Sequence, residues 1–105
     1  MPMTEDVLAA FAEPRRRALL ELLQRDGECS VTELTAACPD ITRPAVSQHL
    51  RVLREAGLVT ERPDGTRRLY RLSGDGLADL RKLLDRFWTD ELHLLADEAE
   101  ETDRP

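Results

Sequence analysis

The sequence predicts a mainly α-helical fold with one small β-hairpin, in the order α-α-α-α-β-β-α. Three observations carry this expectation. Apolar residues recur at three- and four-residue steps through most of the chain. Hydroxyl and carboxylate caps, prolines and glycines cut that periodicity into short pieces. Between Leu58 and Leu72 the pattern changes to strand-like runs on either side of Pro63-Asp64-Gly65, a strong hairpin signal.

Thr4 to Ala12 reads as a first helix, with Val7, Leu8 and Phe11 on one face. Pro14 fits the first turn of a second helix, where its missing N–H has no cost. That helix carries Ala18, Leu19, Leu22 and Leu23 as its apolar stripe and ends near Asp26-Gly27. Ser30-Val31-Thr32-Glu33 is a capping box, a hydroxyl at the cap with a carboxylate three residues on. It opens a short third helix through Ala37, stopped by Pro39. Thr42 caps a fourth helix, and Gly57 sits where a left-handed C-terminal residue belongs. Leu58 to Arg62 and Thr66 to Leu72 are the strands, and a long helix follows from about Ser73 to about Glu100. Short helices followed by a hairpin suggest a winged helix-turn-helix. On this reading residues 1–105 form a single domain. The helix-turn-helix lies at about 31–56, the wing at about 58–72 and the last helix at about 74–100.

Apolar residues at 41% and charged residues at 34% suit a globular chain with a modest core. No apolar run approaches the roughly 20 residues of a membrane span, and the first residues lack the apolar stretch of a secretory signal. A cytoplasmic protein that does not enter membranes is expected. Cys29 and Cys38 are too few for a disulfide scaffold and read as small reduced residues. There is no nucleophile elbow, phosphate loop or histidine pair, so catalysis is not expected.

The net charge of −6 argues against a nucleic-acid partner until it is divided. Residues 1–41 hold four bases and eight acids, and residues 73–105 hold four bases and ten acids. Residues 42–72 hold seven bases and three acids. A basic middle between acidic ends is the electrostatic footprint of an anion-binding surface.

On a helical wheel at about 100° per residue, Val46, Leu50 and Leu53 of the fourth helix share a narrow arc, with His49 at its edge. Pro44, Gln48, Arg51 and Glu55 lie opposite, and Arg43, Ser47 and Arg54 form a flank. Guanidinium, amide and hydroxyl groups are the donors that read base edges in a major groove. A solvated face with ordinary pairs such as Arg51 with Glu55 would look similar. The neighbouring hairpin favours the DNA reading, because Arg62, Arg67, Arg68 and Arg71 flank it, with Arg67 and Arg68 on opposite faces. The candidate DNA contacts are therefore Thr42, Arg43, Pro44, Ser47, Gln48 and Arg51 of the helix and Arg62, Arg67 and Arg68 of the wing. Arg15, Arg16 and Arg17 open the second helix against its macrodipole. Pairing with Asp6, Glu13 and Glu21 is the expected role, and a phosphate clamp is the alternative.

Together "EPRRRALLELL", "SVTELT", "RPAVSQHLRVLREAGLV", "DGTRRLYRL" and "FWTDELHLLADE" resemble the ArsR-type winged-helix repressors of bacteria over nearly the whole chain. The resemblance implies a homodimeric DNA-binding transcriptional repressor whose base-reading positions fall on Arg43, Pro44, Ser47 and Gln48. It also marks two departures. Many members sense metals or arsenic through a Cys-x-Cys box on the third helix, where this chain has Ser30 and Thr32. Others hold zinc on the last helix, where His93 stands near Asp90 and Asp97 without a second histidine. No metal or other cofactor is expected, and the resemblance names no effector. "LTAACPDIT" is one residue longer than the usual turn before the recognition helix.

The last helix explains why DNA binding would need two chains. Leu77, Leu80, Leu84, Phe87, Trp88, Leu92 and Leu95 recur at helical spacing, more than a small domain can bury on itself. Val7, Leu8 and Phe11 of the first helix and Leu84, Phe87, Trp88, Leu92 and Leu95 of the last are the candidate dimer interface. Two-fold symmetry would place two recognition helices about 34 Å apart on a pseudo-palindromic operator. Two other readings compete. One is a thiol- or metal-responsive repressor using Cys29 and Cys38. The other is a winged-helix protein–protein module that never touches DNA.

Overall fold

The interior is made by leucines and valines that the helical period puts on one side of each helix. The computed structural model describes residues 4–102, and side chains for residues 7–88. In it Leu19, Leu23, Leu34, Val46, Leu50, Leu53 and Leu58 are wholly enclosed. The helices are α1 (Thr4–Ala12), α2 (Pro14–Asp26), α3 (Val31–Ala37), α4 (Arg43–Glu55) and α5 (Gly74–Thr102). Strands β1 (Cys29–Ser30), β2 (Val59–Asp64) and β3 (Arg67–Leu72) form an antiparallel sheet in the order β1-β3-β2.

Strand β1 is an addition to the expected order. It pairs Cys29 with Tyr70 and Ser30 with Leu69. Two residues are too few to show alternation, and their partners lie far along the chain, so no local pattern announces them. Ser30 also caps α3: its Oγ accepts from Glu33 N–H at 3.1 Å, and Glu33 Oε1 accepts from Ser30 N–H at 3.0 Å.

The hairpin turn falls later than expected. Asp64 pairs with Arg67, leaving Gly65 and Thr66 as a two-residue loop with Gly65 at φ 64°. A positive φ at the first loop residue alone is the type II′ pattern, which matches the twist of the flanking strands. Pro63 lies inside β2 opposite Arg68, which is tolerated because β2 is an edge strand.

Two of the three arginines that open α2, Arg16 and Arg17, have a role the sequence did not suggest. Arg16 Nε donates to the Ala10 carbonyl at 2.8 Å and Arg16 Nη2 to that of Ala9 at 3.1 Å. Arg17 Nη1 donates to the carbonyls of Phe11 at 3.1 Å and Ala12 at 2.6 Å. These are the last carbonyls of α1, which has no basic residue in its own last turn. The next helix supplies the cap and the positive charge that this end favours. Of the expected acidic partners, Glu13 lies 4.0 Å from Arg15 and also caps α2 by accepting Arg16 N–H at 2.9 Å. The side chain of Asp6 is outside the described residues.

Helix α5 is pinned at its start. Ser73 N–H donates to the Leu58 carbonyl at 2.9 Å, and Ser73 Oγ accepts from Gly76 N–H at 3.2 Å. Gly76 lies so close to Gly57 that a Cβ there would stand 1.7 Å from the Gly57 carbonyl oxygen. Leu80 is buried in the core and Leu77 packs at its margin. No described helix is long and apolar enough to cross a membrane.

Candidate nucleic-acid interface

Helix α4 is closed at both ends by its own sequence. Thr42 Oγ1 accepts from Ala45 N–H at 3.3 Å, and Pro44 occupies the first turn. At the other end Gly57 N–H reaches the Arg54 carbonyl and Leu58 N–H the Leu53 carbonyl, both at 2.9 Å. With Gly57 at φ 82° this is a Schellman closure. The longer turn is drawn in by Ile41, which is buried and donates its N–H to the Cys38 carbonyl at 3.0 Å. Thr42 is therefore the cap, and Arg43 the first helical residue.

Those ends fix the rotation of the helix. Val46, Leu50 and Leu53 are wholly buried, while Arg43, Pro44, Ser47, Gln48, Arg51 and Glu55 are exposed. His49 is half-buried, and its enclosed Nδ1 has no hydrogen-bond partner. Arg43 Nη1 donates to Thr32 Oγ1 of α3 at 2.8 Å, which ties the two helices of the helix-turn-helix together. Arg51 Nε donates to Glu55 Oε1 at 3.2 Å, the ordinary i,i+4 pair. Both side chains stay more than half exposed, so water screens the pair and a stronger anion can displace it.

The wing residues Arg62, Arg67 and Arg68 are exposed, and each stands against a carboxylate. Arg62 makes a two-pronged contact with Glu28, Nε to Oε2 at 2.6 Å and Nη2 to Oε1 at 2.8 Å. Arg67 Nε donates to Asp64 Oδ2 at 3.2 Å, and its Nη1 lies 3.8 Å from Glu33. Arg68 Nη1 lies 3.7 Å from Glu61, which also receives Arg54 of α4. Arg67 and Arg68 thus point to different acids, as strand alternation requires. The Glu28 carboxyl sits below its ordinary value because Arg62 hydrogen-bonds it, and Glu33 does so through the Ser30 backbone N–H.

Thr32 and Arg54 join this surface, Arg54 from the flank the helical wheel gave it, while Glu28, Glu61 and Tyr70 were not singled out from the sequence. The available signal was register: once the hairpin is paired, Glu61 stands opposite Tyr70. Cys29 is buried, and its thiol is pushed up by burial and by Glu33 and Asp26. Cys38 is half-buried, and both cysteines are free thiols. Among the described residues no group of three or more His, Cys, Asp or Glu is placed to hold a metal ion.

On α1 and α5, Leu8 at 39%, Leu84 at 40%, Phe87 at 62% and Trp88 at 64% are exposed. Val7 and Phe11 pack against the core margin. Leu92, His93 and Leu95 lie on α5 beyond the residues whose side chains are described, as do Asp90 and Asp97.

A family model described as a helix-turn-helix domain matches residues 11–62. An HTH-type transcriptional regulator of Mycobacterium tuberculosis is 55% identical over 76% of this chain and 73% of its own length. The crystal structure of a possible transcriptional regulator for arsenical resistance superposes with a TM-score of 0.76 at 55% identity, covering 89% of this chain and 95% of that one. A homodimeric winged helix-turn-helix DNA-binding domain from Mycobacterium bovis, a possible ArsR-family regulator, gives a TM-score of 0.64 at 32% identity, covering 96% and 84%. With the geometry above, these similarities place the chain in the ArsR-type family of winged helix-turn-helix transcriptional regulators.

Proposed function

We propose that this chain is a homodimeric repressor that binds a pseudo-palindromic operator in the cytoplasm. One observation carries the reading. Helix α4 buries Val46, Leu50 and Leu53 completely and turns Ser47 and Gln48 outward, beside a wing bearing Arg67 and Arg68. Ser47 and Gln48 read base edges from the N-terminal half of α4. Arg43 and Pro44 shape the entry to the groove, with Thr42 offering its hydroxyl at the helix start. Arg51 contacts base or phosphate after leaving Glu55. Arg67 and Arg68 hold phosphates, and Arg62 joins them only if it leaves Glu28.

The whole chain acts as one winged domain that dimerises through α1 and α5. Leu8, Leu84, Phe87 and Trp88 form the described part of the interface, with Val7 and Phe11 beneath it. Leu92 and Leu95 extend it along α5. The role requires no cofactor and no catalytic group.

The deciding experiment is selection of bound genomic fragments by the purified protein at fixed salt and with reducing agent present. Enrichment of one inverted repeat is the expected result. A protein that shifts no DNA, its own promoter included, would be a protein–protein module instead.

A further inference from the structure

Glu61 sits where the wing meets α4. It lies on β2, directly opposite Tyr70 of β3. Its side chain is only 16% exposed, against 45% for Arg54 and 62% for Arg68. The same oxygen, Oε1, receives Arg54 Nη1 and lies 3.7 Å from Arg68 Nη1. Tyr70, its partner across the strands, lies close enough to favour the charged form of the same carboxylate. One carboxylate therefore gathers the last turn of α4 and both long strands of the wing.

The other acids of this surface do less. Glu55 pairs within its own helix. Asp64 pairs across the hairpin loop. Glu33 reaches from α3 to Arg67, but at 3.8 Å with both side chains more than half exposed, where solvent screening leaves little. Glu28, in the bend just before β1, holds Arg62 of β2 and does not touch α4. Among these pairs only Glu61 links the wing to α4, and it is the most enclosed. Burial alone would raise its carboxyl, but Tyr70, the hydrogen bond from Arg54 and the charges of Arg54 and Arg68 hold it below the ordinary value. It is thus a fixed negative charge with donors on several sides, a rigid joint.

Resting on the DNA-binding reading above, we propose that Glu61 is a positioning residue that sets operator specificity by locking the angle between α4 and the wing. Arg68 gives one guanidinium edge to Glu61 and keeps the rest for phosphate. With the angle fixed, Ser47 and Gln48 at base edges and Arg68 at the backbone are satisfied together only where groove shape and sequence both match. With the joint loosened, each contact still forms, but the second no longer follows from the first.

The test is titration of the full chain against operator and against a random duplex of equal length, over a salt series. Glu61→Gln keeps the shape and removes the charge. Its operator affinity should fall about tenfold, the size of coupling expected between groups in one network. Affinity for random DNA should hold or rise, since one acid is gone from a phosphate-facing surface. Arg54→Gln breaks the same joint from the helix side, and the double variant should lose no more discrimination than either single one. An operator-to-random ratio equal to wild type in Glu61→Gln, or fully additive losses, would overturn the inference. If Glu61→Gln does not fold by circular dichroism, the exposed Arg54→Gln decides alone, and an unchanged ratio sinks the proposal. A wild type without operator preference removes the DNA reading and this inference with it, an outcome distinct from a wild type that discriminates beside a Glu61→Gln that still does.

Discussion

A Cβ on Gly76 would stand 1.7 Å from the carbonyl oxygen of Gly57 and 2.7 Å from its carbon, so α5 starts where it does only with glycine there. The obstacle is backbone, held by the Schellman closure of α4, and cannot rotate away as a side chain would. Gly76→Ala should therefore destabilise the fold by about 1–3 kcal/mol or more, as overpacking does. Gly74→Ala, with open space around its position, should be neutral or mildly stabilising in a helix. Urea unfolding of both variants checks the pair, and equal midpoints would show that the close approach does not matter.

Base reading and backbone holding should separate by mutation. Gln48→Ala should cost roughly 1–3 kcal/mol on the operator and little on random DNA. Arg67→Ala should weaken both and lower the salt slope by about one unit. Equal loss on both sequences for Gln48→Ala would remove it from the base-reading set.

The exposed aromatic pair midway along α5 should hold two chains together. A buried tryptophan at an interface centre is typically worth about 2 kcal/mol or more. Trp88→Ala should sediment as monomer at concentrations where wild type is a dimer, with far-UV helicity largely kept. A wild type that is already monomeric would refute this assignment.

Acid should loosen the surface network from a defined pH. Glu28 and Glu33 have folded pKa values below their ordinary 4.5, through Arg62 and through the Ser30 N–H. A depressed carboxylate lends stability above its unfolded pKa and loses it as pH falls through the folded value. Unfolding midpoints should therefore hold down to about pH 5 and decline below about 4.5. The decline should be shallower in a Glu28→Gln, Glu33→Gln double variant, and an identical acid limb would count against these two groups.

Zinc and arsenite should leave operator affinity unchanged. Ser30 and Thr32, where a metal-sensing Cys-x-Cys box would lie, are engaged as the α3 cap and as the partner of Arg43. A closed zinc site generally needs four donors. Titrating either ion with wild type and with a Cys29→Ser, Cys38→Ser variant tests this. A cysteine-dependent loss of binding would make the protein a metalloregulator with a relocated site.

What the sequence made legible was whatever repeats or caps locally. The α4 wheel put Val46, Leu50 and Leu53 inside and Ser47 and Gln48 outside, and burial agrees. The Ser30 and Thr42 caps and the Gly57 closure fell where expected. What stayed hidden depends on segments meeting from a distance. Strand β1 exists because Cys29 and Ser30 meet Tyr70 and Leu69. Arg16 and Arg17 read as a charge run until α1 folds back to present its carbonyls. Glu61 is one acid among many until α4, β2 and β3 converge on it.

The sheet offers a second chain little to pair with. Its long free edge is β2, where Pro63 brings no N–H and Arg62 and Asp64 carry charge. On the other side β1 ends after two residues, where α3 begins. Strand addition is thus blocked on both flanks, by the devices that keep edge strands from extending into aggregates. Among the described residues this sheet gives a second chain no edge to extend, so a variant that loses its partner should persist as a single chain rather than polymerise through the wing.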